Sequence, residues 1–139
     1  MQDKIIERAS EIVNKKADVH GFCTLALINT DGYPTTTTIS ISKADGIRRL
    51  TFCTGTNAKA DRIDHCNKAS VCINSDEYHI SLVGTIEQIT DLDVKKEMWY
   101  DGLKNHFTGY DDPNYAVLKF TAEKYGLFVD WQEAKGNLT

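Results

Sequence analysis

The chain lacks an excess of basic residues: 16 Lys and Arg stand against 20 Asp and Glu, a formal net charge of −4. Nucleic-acid binding needs a basic face, so no nucleic-acid partner is expected. Any anion site must be built locally, from helix ends and a few placed cations. Long apolar runs are also missing. None reaches the roughly 20 residues that span a bilayer, and the opening stretch from Met1 to Arg8 is charged and amphipathic, without a signal-peptide core. The expectation is a cytoplasmic protein with no membrane partner. Four cysteines occur (Cys23, Cys53, Cys66 and Cys72), but none forms a CxxC pair. Three lie in or beside apolar strand patterns, as small buried hydrophobes do in a reducing compartment. Cys66 and Cys72 with His65 or His79 match no common zinc spacing, so no metal is expected. None of the four histidines, His20, His65, His79 and His106, finds a triad partner by spacing. No side chain is therefore assigned as catalytic. Repeats, low-complexity segments and linkers are absent too.

What is present is a single-domain length. The 139 residues are expected to form one unit, 1–139, with a sustainable core. Ile5, Ile6, Ala9, Ile12, Val13 and Ala17 recur at helical spacing, which predicts a helix over 2–18. Strands are predicted over 22–28, 35–42 and 48–54, joined by Asp31-Gly32 and Asp45-Gly46 turns. Those three read as an antiparallel meander. A short helix follows over 59–67, then strands over 69–74 and 78–89. Gly84 inside the latter suggests a bulge or close backbone approach. Thr90 and Asp91 can cap a helix running to about Lys104. The segments 115–120 and 125–131 read as a last strand or strand pair. The fold class is mainly β: a six-stranded antiparallel β-barrel with flanking helices, a β-sandwich being second.

The stretch from Gly32 to Lys59 carries the chemistry. It runs from Gly32-Tyr33-Pro34 through Thr35-Thr36-Thr37-Thr38-Ile39-Ser40, and later through Phe52-Cys53-Thr54-Gly55-Thr56-Asn57-Ala58-Lys59. That order sets hydroxyls, free backbone N–H groups and an ammonium where two strands end and a helix begins, a place that can hold a phosphate. Strand alternation puts Thr35, Thr37, Ile39 and Ile41 on one face and Thr36, Thr38, Ser40 and Ser42 on the other. One hydroxyl row is expected to line a ligand, and the row of Thr37 is favoured. Arg62 lies three residues beyond Lys59, on the same helix face.

The order Gly32-x-Pro34, strand, Phe52-x-Thr54, polar loop, Lys59, short helix, then Val83-Gly84-Thr85-Ile86-Glu87 in a long strand resembles the pyridoxamine 5′-phosphate oxidase-like FMN-binding split barrel. Met98-Trp99, Phe107-x-Gly109 and Asp111-Asp112-Pro113 are similar to its general stress protein subgroup. The resemblance covers roughly residues 3–131. It implies a homodimer with FMN at the subunit interface, and a flavin-dependent oxidoreductase that exchanges electrons with a small-molecule donor or acceptor.

On that resemblance Lys59 corresponds to a phosphate-contacting lysine, and Thr54 to a hydroxyl residue near the cofactor. The family arginine on the second strand aligns with Thr37, a departure, because a threonine hydroxyl supplies less than a charge-assisted hydrogen bond. Arg62 is a candidate replacement. His79 falls near a position where some members use glutamine, and Trp131 is a candidate for reaching a partner subunit. The cofactor-binding set is thus Lys59, Thr54, Thr37, Thr36, Thr38, Thr56, Asn57, Arg62, His79 and Trp131. Two alternatives stay open on the same barrel. One is a non-enzymatic flavin-binding stress protein, and the other a binder of haem or a deazaflavin. A pyridoxamine phosphate oxidase proper is disfavoured, because no arginine-rich segment follows Trp131.

Overall fold

The computed structural model describes residues 2–55 and 57–138, and at 57–60 only the backbone. Alternating apolar residues make strand its largest share. The elements run α1 (Gln2–Asp18), β1 (Phe22–Ile28), β2 (Pro34–Ser40), β3 (Lys43–Asp45), β4 (Arg49–Gly55), α2 (Asn57–His65), β5 (Lys68–Asn74), β6 (His79–Ile89), α3 (Leu92–Met98), a 3-10 turn (Asp101–Asn105), β7 (Tyr115–Val129) and β8 (Gln132–Asn137).

All strand pairs are antiparallel, in the order β2-β1-β5-β6-β7-β4-β3, with β8 added to β7. The two ends of this order, β2 and β3, are separated in sequence only by Ile41 and Ser42. So few residues span only about 3.5 Å each. The sheet must therefore curl until its ends nearly meet, which makes a barrel split between β2 and β4. β7 is the seam. Its first half pairs with β4 and its second half with β8, while β6 pairs along both.

The inward residues Leu25, Leu27, Leu50, Phe52, Val71, Ile73, Ile80, Leu82, Ile86 and Phe120 form the main core, which Ile5, Ala9 and Val13 of α1 and Ile63 of α2 join. The α1 helix is tied to the β3–β4 turn. Gly46 N–H donates to Asn14 Oδ1 at 2.8 Å, and Ile47 N–H donates to Ser10 Oγ at 3.2 Å. Gly46 sits at φ +57°, and a Cβ there would lie 2.6 Å from Ser10 Oγ.

A second, smaller core lies outside the barrel. Leu103, Tyr115 and Val117 are covered by Val94, Met98, Trp99 and Phe107. Its centre is polar and satisfied. Tyr115 OH donates to the Lys95 carbonyl at 3.0 Å, and buried Lys95 Nζ donates to the Asp112 carbonyl at 3.0 Å. The same ammonium stands 5.3 Å from the centre of the Tyr115 ring. The Asp112 carboxylate accepts from Thr108 N–H, Asn114 N–H and Thr108 Oγ1–H. Those donors, the Thr108 amide foremost, hold its carboxyl below the ordinary aspartate value.

Three expectations need correction. The 22–28, 35–42 and 48–54 strands are not a meander: β1 pairs with β2, but β4 pairs with β3 and β7. The cause is that Lys43–Asp45 makes its own hairpin with β4 through the Gly46 turn. The helix expected to reach Lys104 ends at Met98, because Trp99 and Tyr100 take extended conformations. Of the two alternatives for the 115–131 region, the single strand is the one present, 15 residues long. With β3 and the unforeseen β8 there are eight strands, two more than expected. The bulge read from Gly84 is present, at the register shift between Val83 and Gly84. A Cβ at Gly84 would lie 1.9 Å from the Thr121 carbonyl oxygen, so only glycine fits there.

Candidate functional site

In the middle of β2, β1, β5 and β6 two outward rows carry mostly small, uncharged residues, bounded by exposed Phe22 and Lys68. Register aligns Thr38, Thr24, Cys72 and Ser81 in one row across the four strands, and Thr36, Ala26, Ser70 and Val83 in the next. Thr36, Thr38 and Val83 are exposed and the rest half-buried. The residues of β2 alternate as expected. Ile39 and Ile41 are buried and bring Thr35 and Thr37 onto the inward side, while Thr36 and Thr38 face out. Thr37 pairs with buried Leu25.

The barrel corner where β2, β4 and α2 meet gathers several of the expected residues. Thr54 ends the inward row of β4, three residues before Asn57 opens α2. The first turn of a helix offers unpaired N–H groups and a partial positive charge. Further along α2, the half-buried Arg62 Nη1 donates to Thr35 Oγ1 at 2.8 Å. Thr35 Oγ1 in turn lies 3.1 Å from Asn29 Oδ1 and 3.4 Å from the Leu27 carbonyl. The guanidinium is therefore fixed at the β2 edge. Thr35 and Thr37 share a face two residues apart, about 7 Å along the strand. An arginine from α2 thus stands beside the strand position at which the resemblance implies one. Arg62 also lines a surface cleft of about 420 Å³ with Asn29, Thr35, Asp31 and Asp61, whose carboxylates make that cleft itself a poor anion site. The side chains of Asn57 and Lys59, and all of Thr56, lie outside the described residues.

His79 and Trp131 are gathered elsewhere. His79 is exposed on β6, its Nδ1 4.0 Å from Cys72 Sγ, and it pairs with Phe128 across the ladder. Trp131 meets the Phe128 ring edge-on at 5.8 Å between centres. It does not end a strand as expected but sits in the β7–β8 turn with φ +64°, and is 87% exposed. Asp130 beside it has φ +52°. A bulky residue in the left-handed region is uncommon and strained. Between β2 and β6 lie β1 and β5, three strand spacings or roughly 14 Å across the ladder, and His79 lies a further step along β6 from the row of Thr38. One chain does not bring the two groups together.

Sequence reasoning missed Thr35 as an anchor for Arg62, and it missed Thr24, Ser70, Cys72 and Ser81 as a bare face. The available signal was the recurrence of small residues at the outward phase of three strands. Of the thiols, Cys23 is pushed up to about 12 chiefly by burial, and Cys53 is raised for the same reason. Both are inert at neutral pH. All four cysteines are free.

This class of architecture is a curled antiparallel β-barrel flanked by helices, with an uncovered face beside a strand–helix junction. Residues 11–128 match the pyridoxamine 5′-phosphate oxidase family, and the chain belongs to it. A search of the curated proteins finds no match. Among solved structures, the chain is similar to a Clostridium acetobutylicum protein related to Bacillus subtilis general stress protein 26, of the pyridoxinephosphate oxidase family. That likeness is at 26% identity and TM-score 0.82, over 95% of this chain and 96% of that one. A haem-binding protein from Mycobacterium smegmatis shares the fold at 17% identity and TM-score 0.69, over 93% of this chain and 57% of that one. So does a pyridoxamine 5′-phosphate oxidase-related, FMN-binding protein from Nostoc punctiforme, at 14% identity and TM-score 0.63, over 99% and 94%.

Proposed function

We propose that this chain is a cytoplasmic FMN-binding homodimer and a flavin-dependent oxidoreductase. The observation that carries the reading is the division of the expected site residues. The threonine, Thr54 and Arg62 group lies at the β2–β4–α2 corner, and the His79 and Trp131 group lies across the bare sheet face from it. Two copies packed face to face on that surface would bring the corner of one against the Trp131 end of the other. A small-residue, nearly uncharged face suits such close approach.

A phosphomonoester carries about −1.5 to −2 charge at neutral pH. On an acidic chain it has to be held by local groups. The N–H groups opening α2, Lys59 and Arg62 are the proposed holders, with Thr54, Thr56 and Asn57 donating beside them. Arg62 stands in for the arginine that Thr37 replaces, and Thr35 fixes its direction. Thr36 and Thr38 offer hydroxyls from the outward row. Trp131 of the opposite copy would shield the bound flavin from water, and His79 would lie near it. When bound, FMN supplies hydride or electron transfer, which explains why no side chain is required as nucleophile or base.

A yellow protein as purified, or saturable quenching of FMN fluorescence on titration, is the expected result. Failure to bind FMN at millimolar concentration contradicts the proposal. Reduction of the bound flavin by an anaerobic donor separates an oxidoreductase from a flavin-storing stress protein. A Soret band after haem addition, abolished on replacing one of the four histidines, would favour the haem reading that the Mycobacterium smegmatis likeness raises.

A further inference from the structure

Away from the bare face, a cleft of about 410 Å³ opens between α3 and the outer side of β3, β4 and β7. Its floor is one register row. Lys43 of β3 pairs with Thr51 of β4, and Thr51 pairs with Lys119 of β7. Directly paired residues stand about 5 Å apart at Cβ, so two ammonium-bearing chains flank one threonine. Thr51 is only 8% exposed, whereas both lysines are exposed. Arg49 is two residues from Thr51 on the same strand face and lines the same cleft. The opposite wall is apolar: Val94 and Met98 of α3, both half-buried.

None of the cleft's charged groups takes part in a described ion pair. Asp45, Glu87 and Glu97 also line the cleft, and Glu87 is the direct ladder partner of Lys119. Yet the described ion pairs involve only Arg8 with Glu11 and Asp130, and Lys104 with Asp101. Along the register row the cations bracket Thr51, while Glu87 lies at the row's end and Asp45 pairs with Arg49 one row away. The centre of the floor is thus cationic and its margin acidic.

We propose that this cleft is a second ligand site, for a small organic acid with an apolar body. The carboxylate is held over Thr51 by Lys43 and Lys119 with Arg49 behind, and the body rests on Val94 and Met98. The acidic margin disfavours ligands with several negative charges. The site owes nothing to the residues proposed for FMN.

The test is a titration of the full chain with 3-phenylpropionate, followed by amide chemical shifts, alongside the neutral 3-phenylpropionamide. Saturable shifts confined to Lys43, Thr51, Val94, Met98 and Lys119 are expected with the acid and not with the amide. Lys119→Gln and Lys43→Gln, both at exposed positions that folding tolerates, should each weaken binding about fivefold or more. Their FMN titration should not change, which separates this site from the flavin proposal. No shifts up to 10 mM on the order of a weak-ligand limit, equal binding of the amide, shifts centred elsewhere, or unaltered affinity in both variants would each overturn the assignment.

Discussion

The outer surface of this barrel is treated in two opposite ways. Around Tyr115 and Val117 it is roofed by α3 and the following 3-10 turn, with aromatic rings and a buried lysine filling the space. Around Thr24, Cys72 and Ser81 it carries small residues and stays open. The roofed side pairs the Tyr115 hydroxyl, the Lys95 ammonium and the Asp112 carboxylate within the chain. The open side has hydroxyls and little bulk, as a surface does when its partner comes from elsewhere. The contrast sets a ladder end that is packed within the chain against one that is proposed for recognition.

Substitutions can break or sharpen that contrast. The largest effect is expected where both halves depend on one backbone crossing. Gly84→Ala drives a methyl into the Thr121 carbonyl and should cost about 3 kcal/mol or more, seen as a collapsed urea midpoint or insoluble protein. On the roofed side, Tyr115→Phe orphans the buried Lys95 carbonyl. It should cost about 1–3 kcal/mol in urea unfolding, with FMN affinity unchanged. A change in FMN affinity there would erase the proposed division of labour.

At the open side's corner, Lys59→Ala and Arg62→Ala should each weaken FMN binding about tenfold, or ~1.4 kcal/mol, by fluorescence titration. An unaltered dissociation constant in both would move the phosphate site. Thr38→Glu, exposed on the bare face, should leave secondary structure by circular dichroism intact, with a local stability effect within about 0.5 kcal/mol. If the proposed dimer packs on this face, light scattering should nonetheless show single chains for this variant and two-chain particles for the unaltered protein.

The smallest effect is a pH dependence of the roof. The Asp112 carboxyl is lowered by the Thr108 and Asn114 amides and the Thr108 hydroxyl, with Lys95 adding to them. A lowered folded-state value means the contribution is complete above the ordinary aspartate value of 3.8. It is lost as pH falls below that value through the lowered one. Asp112→Asn should therefore flatten the melting temperature against pH below about 4, while wild type falls. Equal slopes would remove Asp112 from the account.

Much of the fold was legible, because helical and alternating patterns act locally. The 22–28 strand, the 2–18 helix and the Gly84 bulge are where the sequence indicates. Pairing was not legible. Nothing local to Arg49–Gly55 says that its partner is a strand some sixty residues on, since that choice is made by the barrel closing. Gln132–Asn137 was missed because Glu133, Ala134, Lys135 and Gly136 have poor strand propensity and are held by pairing with β7. For the site, the threonine alternation and Arg62's face could be read, but not that Arg62 crosses to Thr35. Nor could the sequence say that His79 and Trp131 lie a sheet's width from Thr37, because tertiary distance has no local signature.

The most direct test is native mass spectrometry of the full chain after addition of FMN. The account requires a species of two chains carrying two FMN molecules. A single chain without flavin, under conditions that keep the protein folded, would contradict it.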